Sequence, residues 1–240
     1  MTKRQRRSLR DQDVLTDLNS INTQKFNMRA IKPKTSTQAD AIVHFNQGSN
    51  LLLHGLAGTG KTFIAMYLAI NEVIQERAKR VVVIRSAVPT RDVGFLPGTL
   101  KQKMEVYELP YKQIANNLFK RGDAYDILKN KDMLDFISTS YVRGTTLDNC
   151  IVVVDEINNM TFHELDSVIT RLGDDTQLIL CGDYRQSDLL QSQEKQGLRQ
   201  FMNIIDRMNM FEHVEFGVND IVRSALVKQY IIEKAELGYV

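Results

Sequence analysis

The stretch Gly55-Leu-Ala-Gly-Thr-Gly-Lys-Thr62 constrains the fold of this chain more than any other, because it fits the spacing G-x-x-x-x-G-K-[ST] at every fixed position. An apolar run, Asn50–His54, precedes it and predicts a buried strand. The residues that follow, Phe63–Glu76, carry apolar side chains at helical spacing. A strand, a glycine-rich turn and a helix in this order predict a phosphate-binding loop, so we expect the chain to bind a nucleoside triphosphate. The alternative is a glycine-rich turn in an unrelated α/β protein.

The composition of this loop suits an anion. Its three glycines let backbone N–H groups approach a phosphate closely, where a Cβ would intrude. The N-terminus of the following helix adds about half a unit of positive charge. We expect Lys61 to reach the β- and γ-phosphates and the Thr62 hydroxyl to bind Mg²⁺. The predicted contacts with the nucleotide are Gly55, Leu56, Ala57, Gly58, Thr59, Gly60, Lys61, Thr62 and Phe63.

An acid pair at the end of an apolar run is the second informative pattern. Ile151-Val-Val-Val154 predicts a buried strand, and Asp155 and Glu156 follow it directly. Unpaired carboxylates are costly to bury, so we expect both to face a ligand crevice at the carboxyl end of the sheet. Asp155 would hold Mg²⁺ beside Thr62, and Glu156 would act as general base on the attacking water. The alternative is an acid pair that caps a helix.

A third apolar run, Gln177-Leu-Ile-Leu-Cys181, predicts another buried strand and leads into Gly182-Asp183-Tyr-Arg-Gln186. An amide both donates and accepts hydrogen bonds, so we predict that Gln186 contacts the γ-phosphate and its water. The pattern is weak by itself. It becomes informative because it follows the phosphate loop and the acid pair in that order.

Length and composition favour one globular domain. The 240 residues are 43% apolar and 25% charged, and no run of about 18 apolar residues predicts a transmembrane helix. The basic N-terminus lacks a following apolar segment, so we expect no secretory signal. Cys150 and Cys181 flank apolar runs and predict buried thiols in a reducing cytoplasm, with a regulatory disulfide as the alternative. The cysteines and histidines show no zinc-ligand spacing.

Charge divides the chain near residue 34. Residues 1–34 hold nine Lys or Arg against three Asp, whereas the remainder is mildly acidic within a total of +2. We therefore expect a flexible basic arm over 1–34 and one ATPase domain over 35–240. Such an arm binds nucleic acid or a partner, or it is simply a solvated tail.

Two polar side chains near helix starts leave alternatives open. Ser36–Phe45 predicts a capped helix, on which Gln38 either reads the edges of adenine through its amide or faces solvent. A C-terminal helix is predicted for 221–237, with Arg223 near its start. Arg223 either completes a nucleotide site, in its own subunit or a neighbour's, or forms a surface salt bridge.

The region between the loop helix and the acid pair contains a strand and then helical patterns. Val81–Ile84 predicts a buried parallel strand that ends at Arg85. Residues 99–135 are mostly helical in pattern and interrupt the simple alternation of strand and helix. We expect them to form a helical insertion above the ligand edge of the sheet.

Together these motifs resemble the PhoH-like family of single-core ATPases, which are related to superfamily 1 helicases, over about Thr35 to Glu236. The Gly-Phe-Leu-Pro-Gly and Tyr-Val-Arg-Gly stretches are the most selective for this family. The residues that carry the resemblance are Gly55–Thr62, Arg85-Ser-Ala-Val-Pro89, Gly94-Phe-Leu-Pro-Gly98, Tyr141-Val-Arg-Gly-Thr-Thr-Leu147, Val154-Asp-Glu156, Gly182-Asp-x-x-Gln-x-Asp-Leu189 and Asp220-Ile-Val-Arg-Ser-Ala-Leu-Val227.

The resemblance implies a RecA-like P-loop NTPase fold, with a mostly parallel sheet and helices on both faces. It also implies hydrolysis of ATP with Mg²⁺, hexameric rings, a link to RNA metabolism, and a source in a bacterium or a phage. It places Arg85, Arg143 and Thr145 toward RNA or single-stranded nucleic acid and matches Gln38 to an adenine-reading glutamine. Two departures stand out: Ile157-Asn158 replaces the usual Ala-Gln, and Ser224-Ala225 replaces the usual His-Pro.

The function favoured by these residues is an ATPase that binds RNA or single-stranded nucleic acid. Its predicted catalytic residues are Lys61, Glu156, Gln186 and Arg223. The chain is too short for a second core, so helicase-like movement would need a ring, with Arg223 or Arg143 offered by a neighbour. Two other classes stay open: a nucleotide-gated scaffold with little turnover, and a small-molecule kinase, which the acid pair and the amide disfavour.

Overall fold

The computed structural model describes residues 26–86, 100–183 and 192–238. Within these ranges six strands form one parallel sheet in the order β3-β2-β4-β5-β1-β6. The strands are β1 (Asn50–Gly55), β2 (Arg80–Arg85), β3 (Leu134–Ser138), β4 (Cys150–Asp155), β5 (Gln177–Gly182) and β6 (Phe211–Phe216). The helices are α1 (Ser36–Asn46), α2 (Lys61–Ile74), α3 (Leu100–Phe119), α4 (Ala124–Asn130), α5 (Phe162–Ile169), α6 (Ser192–Ile205) and α7 (Ala225–Glu236).

The sheet is covered by helices on both faces, as its continuous apolar strands require. In β1, Leu51 and Leu53 face the layer formed by α1 to α4, while Leu52 faces the layer formed by α5 and α6. All six residues of β4 are buried. Each fully buried Leu or Val side chain contributes roughly 1.5–3 kcal/mol to folding. Because every strand runs in the same direction, all carboxyl ends meet at one edge of the sheet, where ligands bind in such folds.

The helical content predicted for 99–135 is present as α3 and α4, but its place differs from our expectation. These helices connect β2 to the adjacent parallel strand β3 and therefore preserve the alternation of strand and helix. Tyr111, Leu118 and Leu128 are buried in the core layer that also contains α2. The helices thus pack against the face of the sheet, since their apolar stripe needs the strands as a partner.

The C-terminal helix begins at Ala225, four residues later than predicted. A short 3₁₀ turn, Val218–Asp220, precedes it, and a carboxylate oxygen of Asp220 accepts a 2.9 Å hydrogen bond from the Gly217 N–H. Ile221 is extended, with φ −68° and ψ 113°, so the helix cannot start there.

Part of the predicted basic arm packs on the domain. Phe26 stacks on Phe119 with ring centroids 4.1 Å apart, and the Arg29 N–H donates to the Leu118 carbonyl at 3.0 Å. The side chain of Arg29 also donates to Asn117. The predicted boundary at residue 34 therefore falls inside a packed segment, and residues 1–25 lie outside the described ranges.

Two further expectations concern the whole chain. Cys150 and Cys181 are both buried, and each carries a free thiol. Within the described ranges, none of the helices has the length and the apolar content of a membrane span.

Gly55 of β1 pairs with Phe216 of β6 and lies close to its backbone. Its φ is +115°, and a Cβ added there would lie 2.2 Å from the carbonyl oxygen of Phe216. Left-handed backbone alone costs a residue with a Cβ about 1–3 kcal/mol, and a clash with rigid backbone adds to that. We therefore expect Gly55→Ala to lower the free energy of unfolding in urea by about 2 kcal/mol more than a matched variant without the clash.

Gly48→Ala supplies that matched variant. Gly48 also has a positive φ, +90°, but a Cβ there would meet nothing within 4 Å. Equal losses of stability in the two variants would contradict the proposed contact between Gly55 and Phe216.

Candidate functional site

The glycine-rich loop lies between β1 and α2, at the carboxyl edge of the sheet. Gly60 takes a left-handed conformation, with φ +88°, directly before Lys61 begins α2. The Thr59 hydroxyl donates to the Leu56 carbonyl at 2.9 Å, and this hydrogen bond within the loop stabilises the turn. The unpaired N–H groups of a helix N-terminus then face the concave side of the loop, where they attract an anion.

Lys61 contacts its own loop. Its ammonium group donates to the carbonyls of Gly55 and Leu56, both at 2.8 Å. Burial lowers the pKa of Lys61, while the negative charges of Asp183, Glu156 and Asp155 act in the opposite direction. The ammonium is therefore held at the mouth of the loop by carbonyl dipoles that a phosphate can replace.

Asp155 lies at the centre of the site and is only 5% exposed. The Thr62 hydroxyl, 93 positions away in sequence, donates to its Oδ1 at 3.0 Å. The Tyr111 hydroxyl donates to its Oδ2 at 2.9 Å. Burial raises the pKa of Asp155, and the Tyr111 bond, the charge of Arg85 and the Thr62 bond oppose that rise. Each carboxylate oxygen thus accepts a hydrogen bond from a side-chain hydroxyl, and the two hydroxyls come from different helices.

Glu156 has a strained backbone, with φ +56° and ψ +46°. Such left-handed conformations are uncommon for residues other than glycine and cluster at functional sites. Burial raises the pKa of Glu156, and the adjacent charge of Asp155 raises it further. A carboxylate with a raised pKa is suited to accept a proton near neutral pH.

Asn158 joins the ends of β4 and β5. Its Oδ1 accepts a 3.2 Å hydrogen bond from the Asp183 N–H. A Cβ on Gly182 would lie 2.5 Å from the Ile157 Cγ1 and 3.0 Å from that same oxygen. Asn158, which stands where the family usually has a glutamine, therefore bonds the residue that directly follows β5. Gln186, predicted to contact the γ-phosphate, lies outside the described residues.

Gln38 is buried against the loop. Its Nε2 donates to the Thr59 carbonyl at 2.9 Å, and its Oε1 accepts from the Lys34 N–H at 2.9 Å. A Cβ on Gly60 would lie 3.1 Å from the same Nε2. The solvent-facing alternative is thus wrong, because the side chain is only 4% exposed. Its contact with adenine stays a prediction.

Arg223 lies beside the loop of its own subunit. A Cβ on Gly58 would lie 2.9 Å from the Arg223 Cγ and 3.5 Å from its Nε. The preceding residue, Val222, donates its N–H to the Gly58 carbonyl at 3.0 Å. The segment before α7 therefore places the Arg223 side chain at the loop while leaving it exposed.

The three residues predicted to face nucleic acid lie in two different environments. Arg85 is partly buried: its guanidinium lies 5.8 Å from the Tyr107 ring centroid, and its charge acts on Tyr111 and Asp155. Arg143 and Thr145 are exposed in the loop that follows β3. Arg85 therefore belongs to the surroundings of Asp155, whereas the other two lie on the surface.

Tyr111 is the site residue that sequence reasoning missed. It comes from α3, and its side chain is fully buried. The signal was a tyrosine on a helix stripe with Ala115 and Leu118, both also buried. A buried tyrosine normally finds a hydrogen-bond partner, and the acids at the sheet edge were available.

The site suits a nucleotide phosphate and a hard cation. Thr62 and Asp155 offer oxygen ligands, which Mg²⁺ prefers, and such sites take their remaining ligands from phosphates and water. In the part of the chain that the structure describes, no cluster of three or more His, Cys, Asp or Glu side chains could hold a metal alone. The Thr62–Asp155 pair fits a cation that takes its other ligands from a nucleotide.

A phosphate loop and a hydroxyl–carboxylate pair at the carboxyl edge of this parallel sheet define the P-loop NTPase class, so the predicted RecA-like fold is confirmed. The family described as "PhoH-like protein" matches residues 30–235, and the chain belongs to that family. A "PhoH-like protein" from Mycobacterium leprae (strain TN) is 31% identical over 211 residues, which are 87% of this chain and 59% of that protein. "Protein PhoH" from Escherichia coli (strain K12) is 32% identical over 73% of this chain and 50% of its own length.

The chain spans between 50% and 59% of the length of these two relatives. Among solved structures, the Pif1 helicase from Candida albicans aligns with 88% of this chain and 44% of its own, with 15% identity and a TM-score of 0.44. The Hef helicase domain from Pyrococcus furiosus aligns with 77% of this chain and 39% of its own, with 13% identity and a TM-score of 0.42. The fold assignment rests on the sheet order and the loop rather than on these partial likenesses.

Proposed function

We propose that this chain is a Mg²⁺-dependent ATPase that acts with RNA or single-stranded nucleic acid. The observation that carries the proposal is the 3.0 Å hydrogen bond between Thr62 and Asp155. It joins the residue after the loop lysine to the acid at the end of β4, as a metal–nucleotide site requires.

Each residue has a role that follows from its position. Lys61, which now bonds two loop carbonyls, would turn to the β- and γ-phosphate oxygens, and Thr62 and Asp155 would hold the Mg²⁺. The bound metal ion neutralises charge on the phosphate oxygens. Glu156 orients the attacking water and takes its proton. Gln186 remains our candidate for the amide that contacts this water.

The nucleic-acid part of the proposal is supported by the loop after β3. Tyr141 is 54% exposed there, next to the exposed Arg143. An aromatic ring and a guanidinium at a surface suit stacked bases and phosphates of a single strand. Thr145 lies in the same loop, and its hydroxyl donates to the Val142 carbonyl at 2.8 Å.

We also propose that subunits associate in a ring, such as a hexamer. The described residues form a single sheet, so movement along a nucleic-acid strand would require neighbouring subunits. Arg143 and Arg223 are both exposed, but Arg223 lies at the loop of its own subunit, which leaves Arg143 as our candidate for a neighbour's site.

The test is the ATP turnover rate as a function of subunit concentration, with and without single-stranded RNA. Lys61→Ala is the control, because it removes the ammonium and should reduce turnover to background. Stimulation by RNA together with a concentration threshold would support the proposal. Transfer of labelled γ-phosphate to a nucleoside would instead favour a kinase, and ATP-dependent assembly without turnover would favour a scaffold.

A further inference from the structure

We propose that Tyr111 is a positioning residue that fixes the rotation of the Asp155 carboxylate and thereby sets how tightly the site holds its metal ion. This inference rests on the proposed ATPase function. It assigns the α3 helix a part in the nucleotide site, in addition to its part in the core.

The first support is the pattern of donors around Asp155. Thr62 donates to Oδ1 and Tyr111 donates to Oδ2, at 3.0 Å and 2.9 Å. A hydroxyl can ligate Mg²⁺ through a lone pair while its proton stays on a carboxylate, so the Thr62 bond can hold Oδ1 beside the metal position. The Tyr111 bond lies on the opposite oxygen, so the two bonds together fix the rotation of the carboxylate.

The second support is that the Tyr111 hydroxyl has a defined direction. The Tyr111 hydroxyl donates to Oδ2 of Asp155, so its proton points to that carboxylate. The positive charge of Arg85 acts on both Tyr111 and Asp155 and favours this direction, because a cation repels the phenol proton. Arg85 on β2, Tyr111 on α3 and Asp155 on β4 are thus coupled by one charge and one hydrogen bond.

The third support is the rigidity of the ring. Tyr111 is fully buried, and its ring lies 5.6 Å from that of Phe136 on β3. Because the ring is packed in this way, the hydroxyl is held in one position beside Asp155. Partners of metal ligands that are held like this typically change metal affinity or activity by about 10–100-fold when removed.

Tyr111→Phe tests the inference, because it removes the hydroxyl and keeps the ring. Tyr125→Phe is the matched control: Tyr125 is 2% exposed, and its hydroxyl donates to a carboxylate oxygen of Glu108 at 2.8 Å, outside the nucleotide site. The readout is the affinity for Mn²⁺, measured by electron paramagnetic resonance in the presence of a non-hydrolysable ATP analogue. Thermal unfolding and nucleotide binding in EDTA are measured alongside.

We expect Tyr111→Phe to weaken Mn²⁺ binding by about 10–100-fold and to raise the half-saturating Mg²⁺ concentration for turnover, with nucleotide binding in EDTA unchanged. Tyr125→Phe should leave both metal constants at the wild-type value. Equal Mn²⁺ affinity in wild type and Tyr111→Phe, or the same loss in both variants, would overturn the inference.

A second measurement covers the case in which Tyr111→Phe does not fold. A 3-fluorotyrosine placed at position 111 alone keeps the ring and the hydroxyl, and its ¹⁹F signal should shift when Mg²⁺ is added to the nucleotide complex. An unchanged signal would overturn the inference. A wild-type protein that binds no Mn²⁺ with the nucleotide would overturn the proposed function itself, which is a distinguishable result.

Discussion

Glu156→Gln should lower ATP turnover by about 10²–10⁴-fold and leave ATP binding intact, because glutamine keeps the shape of the side chain and cannot accept the proton of water. Glu156 directly follows Asp155, the proposed metal ligand, and burial together with the charge of Asp155 raises its pKa, unlike that of an ordinary surface carboxylate. The measurement is steady-state release of phosphate, with binding followed by a fluorescent nucleotide.

Glu233→Gln is the control, because Glu233 is an exposed carboxylate on α7. It should turn over ATP at the wild-type rate. Normal turnover in Glu156→Gln would remove Glu156 as the general base. If Glu156→Gln and Glu233→Gln hydrolyse ATP equally slowly and both still assemble only with ATP, the result would favour the nucleotide-gated scaffold.

Arg223→Ala should lower turnover by about 10³-fold, at the lower end of the range for an arginine that neutralises phosphoryl-transfer charge. The side chain lies against Gly58 of its own loop, so we expect its guanidinium to reach the phosphates of a bound nucleotide. Binding of ATP should persist, because the loop N–H groups and Lys61 remain. Steady-state rates and nucleotide affinity measured on the same preparation separate the two effects.

Mixing subunits tests whether Arg223 acts within one subunit. Arg223→Ala retains its general base and Glu156→Gln retains its arginine, so an arginine acting on a neighbour's site would restore turnover in mixed rings. The contact with Gly58 predicts no recovery. Recovery of turnover would place the arginine in the adjacent subunit's site. Arg143→Ala, the exposed alternative, would then be compared in the same mixtures.

The parts of the site that the sequence predicted are those with a local signal. Continuous apolar runs marked β1, β2, β4 and β5, and the residues at their carboxyl ends met at one edge, since all strands are parallel. The pairing of Thr62 with Asp155 followed from that geometry. Helices α3 and α4 were predicted as helices but not as the β2–β3 crossover, because periodicity indicates an apolar stripe without saying what covers it.

Contacts between side chains distant in sequence could not be predicted from the sequence. The Tyr111–Asp155 bond joins residues 44 positions apart, and no spacing rule relates a helix in a crossover to a particular strand end. Gln38 likewise satisfies both of its amide atoms with backbone groups at positions 34 and 59, a placement that depends on how α1 docks beside the loop.

The backbone that shapes the phosphate loop is shared with the last strand of the sheet. The Leu56 N–H donates to the Phe216 carbonyl at 3.0 Å, and the Gly58 carbonyl accepts from Val222. During translation, residue 55 leaves the ribosome long before residue 222 exists. A nascent chain can therefore fold most of its sheet while the loop still lacks these two hydrogen bonds. We expect the chain to bind ATP only once the final segment has emerged.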